Sequence, residues 1–231
     1  TGDEILPENK TYLHLTLADG STNRLEAGDL FPALHCGEGS ILVLHDGIRN
    51  VDTNGNMLVP AQGRVPKTCV LENGTKVKEG DPLYVMESKN PGKLYAYGGK
   101  SCSGIGSGIF ENTGDMTFNG GYIEAYAYDK AETSTSRDYH GTGAGIGSSM
   151  AGGGTVMTFN GGTILAVGSY HGAGVGTGLS SSWGANWDRP QMEGTIKSRE
   201  VNQDSIPRDI YINGGNLTAQ GFEHGNAFGA G

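Results

Sequence analysis

The sequence predicts an all-β chain, folded as a right-handed three-sheet parallel β-helix (β-solenoid) of about five coils with lateral loop insertions. Nearly the same eleven residues occur three times, as TFNGGYIEAYA at 117–127, TFNGGTILAVG at 158–168 and YINGGNLTAQG at 211–221. A glycine-rich segment alternates with them, for example GAGIGSS at 143–149 and GAGVGTG at 172–178. Ile146 and Val175, the matching positions of those two segments, are 29 residues apart. A period in this range indicates stacked repeats.

The composition excludes several other classes of protein. Glycine accounts for 41 of 231 residues, which is far above the usual ~7%, but it does not recur at every third position as in collagen. A net charge of −9 with few clustered cations argues against a nucleic-acid partner. No apolar stretch approaches the ~18 residues of a transmembrane helix, so membrane insertion is not expected.

Three short strands, a, b and c, are predicted in each repeat, because apolar residues alternate with small or polar ones at a period of two. In the repeat at 143–168 these strands are GAGIG, VMTFN and TILAV. A single repeat cannot bury its apolar face, so equivalent residues of successive repeats are expected to lie over one another. The expected inward ladders are Leu94, Ile123, Ile164 and Leu217; Ala96, Ala125, Ala166 and Ala219; and Phe118, Phe159 and Ile212.

An Asn-Gly-Gly turn joins strand b to strand c in three repeats and begins at Asn119, Asn160 and Asn213. The turn is expected to need positive φ, which glycine adopts freely and asparagine tolerates. Asparagines stacked at equivalent positions can form hydrogen bonds with one another. We therefore interpret these three residues as a structural ladder.

Domain organisation follows from the repeat boundaries. Residues 1–30 are interpreted as an N-terminal cap or lead-in strands, and residues 31–231 as the solenoid. The earliest repeats are degenerate, and the period is broken by three insertions, near 48–80, 128–140 and 179–208. Insertions in repeat proteins map to loops on one face, which is often the binding face.

The cycle GAGIG followed by TFNGGTILAVG, over about 94–231, resembles the glycine-rich parallel β-helix repeats of large bacterial extracellular proteins. Those proteins include surface adhesins and carbohydrate-binding or carbohydrate-cleaving polypeptides. The resemblance implies a secreted or cell-surface location. It brings no catalytic motif with it.

Aromatic residues cluster at the outward positions of strand c in two adjacent repeats. Flat aromatic faces beside hydroxyl and carboxylate groups suit sugar rings, which stack on one face and form hydrogen bonds at the edge. The alternative is that these residues only stabilise an exposed sheet by cross-strand packing. The candidate glycan-binding residues are Tyr95, Tyr97, Tyr122, Glu124 and Tyr126, together with Trp183 and Trp187 on the last insertion. The alternative for the two tryptophans is that they pack against the solenoid and hold the long loop in place.

No catalytic or metal-binding residues are assigned. Glycoside cleavage needs two carboxylates placed across the bond, and Glu111, Asp115, Glu124, Asp129 and Asp138 are the acidic residues that could converge. None of them recurs in a pattern that requires catalysis. No cofactor is expected, and calcium bound by Asp129 or Asp138 is kept as an alternative. Three cysteines without a CxxC pair give no zinc or redox motif.

The functional expectation is an extracellular, non-catalytic scaffold whose aromatic and acidic loops bind a polysaccharide or surface glycan. One alternative is a self-assembling subunit of an extracellular fibre, stacked end to end through open solenoid ends. The other is a polysaccharide-cleaving hydrolase or lyase that uses the acidic, tyrosine-rich face.

Overall fold

The computed structural model describes residues 11–46, 54, 65, 67–70, 76–80, 90–127, 141–154, 156–179, 209–221 and 225–229. Within these ranges the chain forms strands and no helix. The strands are β1 (Thr11–Leu17), β2 (Thr22–Glu26), β3 (Leu34–His35), β4 (Ser40–Asp46), β5 (Cys69–Val70), β6 (Lys76–Val77), β7 (Lys93–Tyr97), β8 (Ile105–Gly106), β9 (Asp115–Tyr126), β10 (Ile146–Gly147), β11 (Val156–Val167), β12 (Val175–Gly176), β13 (Asp209–Ile212), β14 (Asn216–Gln220) and β15 (Phe228–Gly229).

These strands form two parallel sheets and one short antiparallel pair. The larger sheet has eight strands and the smaller has five. The larger sheet contains two columns of strands, β1-β4-β9-β11-β13 and β2-β7-β9-β11-β14, which share the long strands β9 and β11. The smaller sheet is a third column, β3-β8-β10-β12-β15. Strands β5 and β6 form the antiparallel pair.

The predicted right-handed three-sheet parallel β-helix, or β-solenoid, of about five coils is wrong. The described residues form two parallel sheets where three were expected. Strands b and c were predicted as separate, but β9 and β11 each run through their Asn-Gly-Gly turn as one strand of 12 residues. The physical reason is that adjacent repeats turn at the same place, where Gly121 and Gly162 both have φ of +92°. Pairing between β9 and β11 therefore continues, with only a register irregularity at the turn.

The register between repeats agrees with the sequence analysis. Ile123 pairs with Leu94 on one side and Ile164 on the other, and Ile164 pairs with Leu217. The Phe118 and Phe159 rings stack with centroids 4.9 Å apart. Burial of such apolar ladders is the main favourable contribution to folding. The buried core they form runs from Leu17 on β1, through Leu42 and Leu44 on β4, to Val175 on β12.

The segment assigned to an N-terminal cap contributes two strands to the larger sheet. β1 pairs in parallel with β4 over its whole length, and β2 pairs with β7. Leu17 at the end of β1 is buried in the core. The insertion at 128–140, residues 180–208 and most of 48–80 lie outside the described residues.

Candidate functional site

The candidate site is the outward face of β7 and of the second half of β9. Along both strands, buried residues alternate with half-buried or exposed ones, because successive side chains of a strand point to opposite faces. The inward residues Leu94, Ala96, Ile123 and Ala125 belong to the core. We call the outward set the tyrosine surface, and it consists of Tyr95, Tyr97, Tyr122, Glu124 and Tyr126.

Cross-strand pairing brings the four tyrosines together. Tyr97 is directly opposite Tyr126, and their rings are parallel, with centroids 5.1 Å apart. Tyr95 and Tyr122 are diagonal neighbours, with centroids 6.1 Å apart and ring planes tilted by 56°. Both geometries are favoured for aromatic pairs. The result is two ring pairs on one face of the sheet.

Glu124 lies between the two ring pairs and accepts hydrogen bonds from both flanking tyrosines. The Tyr122 hydroxyl donates to Oε1 and the Tyr126 hydroxyl donates to Oε2, each at 2.5 Å. Burial, followed by this hydrogen bond, raises the pKa of Tyr126. The hydrogen bond to Glu124 is the main cause of the raised pKa of Tyr122. Both tyrosines are therefore neutral donors, and each carboxylate oxygen keeps a lone pair for another donor.

Two cations border the tyrosine surface. The Arg24 guanidinium lies over the Tyr97 ring, 4.3 Å from its centroid, and Lys93 Nζ lies 5.7 Å from the centre of the Tyr122 ring. These distances are within the range of cation–π interactions. Arg24 also donates from Nε to Glu26 Oε1 at 2.6 Å, and this contact is the main cause of its raised pKa. The site thus combines aromatic faces, two carboxylates (Glu124 and, bound to Arg24, Glu26) and two cations.

Sequence reasoning missed Arg24, although a signal was present. In residues 22–26, TNRLE, Leu25 lies between two polar residues as Ala96 lies between two tyrosines in KLYAY at 93–97, although Asn23 is polar where Leu94 is apolar. Because residues 1–30 were interpreted as a lead-in, β2 was not aligned with β7. In the structure Arg24 is directly opposite Tyr95, which brings its guanidinium to the neighbouring Tyr97 ring.

The three asparagines form a directional hydrogen-bond ladder. Asn213 Nδ2 donates to Asn160 Oδ1 at 2.8 Å, and Asn160 Nδ2 donates to Asn119 Oδ1 at 2.7 Å. Asn119 and Asn160 are buried, so these bonds satisfy amide groups that would otherwise be costly to bury. Positive φ is carried by the following glycines and not by the asparagines. These contacts give the asparagines a structural role.

His45 on β4 extends the ladder and was also missed. Its Nδ1 lies 3.4 Å from Asn119 Nδ2. An amide nitrogen only donates, so Nδ1 accepts and the proton of the neutral ring is on Nε2. Nε2 is buried and has no hydrogen-bond partner among the described residues. Burial, and then the neighbouring His14, lower the pKa of His45 to about 4.

Acidic residues considered for catalysis are engaged in different places. Glu111 Oε2 lies 2.7 Å from His35 Nε2 and accepts a hydrogen bond from the Gly108 amide. Glu124 is held by the two tyrosines. No described hydrogen bond or ion pair joins Glu111 to Glu124. Trp183, Trp187, Asp129 and Asp138 lie outside the described residues.

The described residues show neither a cluster of metal ligands nor a helix that could span a membrane. In the described parts of the chain, no three His, Cys, Asp or Glu side chains cluster as metal ligands would. Cys36, Cys69 and Cys102 are free thiols, and burial raises the pKa of Cys102 to about 11. Across those same residues, no helix has the length and apolar character needed to span a bilayer.

Comparison with known proteins returned no relative. No family model, no curated protein and no solved structure matches the chain.

Proposed function

We propose that this protein binds a carbohydrate through the tyrosine surface, as a non-catalytic scaffold outside the cell or on its surface. The observation that carries the proposal is the placement of Glu124 between two tyrosine pairs with both carboxylate oxygens oriented by tyrosine hydroxyls. The extracellular location rests on the resemblance of the glycine-rich repeats.

The chemistry of the surface supports a sugar as the ligand. The CH face of a pyranose ring packs on an aromatic ring, and its hydroxyls need both donors and acceptors at the edge of that contact. Glu124 supplies oriented acceptors, while Lys93 and Arg24 supply donors. Because the side chains hold one another, little conformational entropy is lost on binding. A flat surface of this kind fits a polysaccharide chain better than a small enclosed molecule.

The hydrogen bonds of the Glu124 carboxylate favour a binding role over cleavage. A glycosidase needs a second carboxylic group across the scissile bond. Glu124 is bonded to tyrosines at both oxygens, and no described contact links it to another acid. Trp183 and Trp187, which lie outside the described residues, stay predicted contributors to the same function.

The first prediction is that Tyr126→Ala weakens binding to whichever polysaccharide the unmodified chain captures on a glycan array. The substitution removes one ring of the stacked pair and one hydroxyl that orients Glu124. We expect an affinity loss of about tenfold or more, which corresponds to about 1.4 kcal/mol. Isothermal titration with the captured polysaccharide measures it.

Thr163→Ala is the matched control. Thr163 is an exposed outward residue on the next strand, directly opposite Tyr122, and its loss should leave the affinity unchanged. The proposal fails if the unmodified chain captures no glycan, or if Tyr126→Ala binds as well as Thr163→Ala. Release of reducing ends that disappears in Glu124→Gln would instead support the polysaccharide-cleaving alternative.

A further inference from the structure

The two ends of the sheets present matching sets of three strand edges. β1, β2 and β3 are the first strands of the three columns, and β13, β14 and β15 are the last. Each of the six strands pairs with a described strand on one side only. All pairings within the columns are parallel, so the strands at both ends run in the same direction. An unpaired strand edge is a template for another strand.

At the last strands, side chains in core positions are exposed to solvent. Ile212 is 54% exposed and Phe228 is 43% exposed, whereas their partners Phe159 and Val175 on the preceding strands are fully buried. These residues continue the apolar ladders, and no strand of the described ranges packs over them as the next repeat packs over Phe159 and Val175. Exposed apolar groups in such a row indicate an interaction surface.

The first strands present apolar side chains at the same positions of the columns. Leu13 on β1 is 43% exposed. Leu15, Leu25 and Leu34 are only partly buried and pack against the core from one side. The two ends therefore have the same chemical character.

The ladder register shows how one end would fit the other. Continuing each column by one strand places Ile212 on Leu15 and Phe228 on Leu34. It also places Ile210 on Leu13 and Ala219 on Leu25. One of the five inward contacts would pair an apolar residue with a polar one, because Leu217 would meet Asn23. On the outward face, Thr218 would lie beside Arg24 and Gln220 beside Glu26, so no like charges meet.

We propose that two copies of this chain associate head to tail, with β13, β14 and β15 of one copy pairing in parallel with β1, β2 and β3 of the next. The second copy supplies both the missing strand edges and the apolar residues that cover Ile212 and Phe228. A head-to-tail contact leaves a free edge at each end of the pair, so it propagates into a filament unless it closes into a ring. This inference does not depend on the carbohydrate-binding proposal.

Complementary blocked variants test the direction of association. Ile212→Lys blocks the last strands and Leu13→Lys blocks the first strands, and both residues are exposed, so each variant should fold. We expect the unmodified chain to polymerise with rising concentration in sedimentation velocity and to form filaments under negative stain. Each blocked variant alone should be monomeric, and an equimolar mixture should form dimers only. Phe110→Asn, at an exposed turn between the ends, should polymerise normally.

Disulfide trapping tests the register. Asn216 and Thr22 occupy equivalent outward positions of the second column, and adjacent strands bring Cα atoms within disulfide reach. The double variant Asn216→Cys/Thr22→Cys should give a ladder of cross-linked multimers on oxidation. Thr218→Cys/Thr22→Cys, displaced by two residues, should give few. Cys69→Ser is included in both variants because Cys69 is a partly exposed thiol.

Three outcomes would overturn the proposal. The unmodified chain could remain monomeric at every concentration. This is also the result expected if another segment of the same chain covers the edges of the end strands. Leu13→Lys alone could dimerise, which would show that the last strands pair with each other. The displaced cysteine pair could cross-link as well as the matched pair, which would show association without the proposed register.

Discussion

At the residue scale, His45 couples the stability of the fold to pH. The pKa of its imidazole falls from an ordinary 6.5 to about 4 on folding, so between these values the unfolded chain binds more protons than the folded one. Stability is therefore full above about pH 6.5 and decreases as the pH falls towards 4. The charged ring would also bring a donor at Nδ1 against the donor Asn119 Nδ2.

We predict that His45→Asn weakens this acid sensitivity. The substitution places an amide at the end of the asparagine ladder, and that amide does not titrate. Urea unfolding at pH 7.0, 5.5 and 4.5 should show a smaller loss of unfolding free energy than in the unmodified chain. His14 faces His45 with ring centroids 5.9 Å apart, and His14→Gln is the control, which should retain most of the sensitivity because burial is the larger cause. Equal pH slopes for His45→Asn and the unmodified chain would contradict the prediction.

The asparagine ladder leads to another residue-scale prediction. Asn160→Leu leaves the Asn119 oxygen and the Asn213 amide without their partners. A buried polar group left unsatisfied costs about 1–3 kcal/mol, so the unfolding free energy should fall by about 2 kcal/mol or more. Asn213→Leu removes one ladder bond at the last strand and should cost less. Equal losses for the two variants in urea titrations would argue against a cooperative ladder.

At the element scale, the repeats allowed the register to be predicted but not the number of sheets. Apolar alternation in TFNGGTILAVG is enough to place Ile164 between Ile123 and Leu217. The same sequence does not show whether Gly-Gly ends a strand or bends it. The outcome depends on whether the neighbouring repeat turns at the same point. Strand pairing through the turn is a property of two stacked segments, which is why β9 and β11 were each divided in the prediction.

The candidate site could likewise be predicted only in part from the sequence. The tyrosines follow from the period of two and from the alignment of β7 with β9. Arg24 and His45 were missed because they lie on strands outside the clear repeats, where no Asn-Gly-Gly marks the register. Residues of the long insertions have no repeat partner, so neither alternation nor alignment could place Trp183 or Trp187.

Glycine stacking in the third column gives an element-scale prediction. A Cβ added to Gly147 would collide with the Gly176 carbonyl oxygen of the next strand, and φ at Gly147 is +135°. The collision is with backbone that is itself paired, so it cannot be relieved by a side-chain rotation. Gly147→Ala should therefore lower the unfolding free energy by about 3 kcal/mol or more, or prevent folding. Thermal unfolding by circular dichroism measures the change, and a melting temperature within a few degrees of the unmodified chain would contradict it.

At the scale of the whole molecule, the same repeat position distinguishes folding from assembly. Gly229 is the equivalent of Gly147 on β15, with φ of +117°, but a Cβ there would meet nothing within 4 Å. In the isolated chain, Gly229→Ala therefore lowers the unfolding free energy only by the backbone strain of a positive φ, about 1–3 kcal/mol. The strand that carries it, β15, pairs with a described strand on one side only. Continuing the third column by one strand places His35 of the next copy over Gly229. The added Cβ would then point at a carbonyl oxygen, as it does in every interior repeat.

We therefore predict that Gly229→Ala folds but does not form filaments, whereas Gly147→Ala fails before assembly is reached. Circular dichroism establishes the fold, and sedimentation velocity at matched concentrations establishes the assembly. Gly80→Ala is the control, because Gly80 also has a positive φ (+80°), a Cβ there also meets nothing within 4 Å, and Gly80 lies in none of the three columns. If Gly229→Ala forms as many filaments as Gly80→Ala, the third column does not continue into the next copy, even if the chain polymerises by another contact. A Gly229→Ala chain that fails to fold would show instead that β15 is needed by the monomer, and the Ile212→Lys and Leu13→Lys mixture would then decide the direction of assembly.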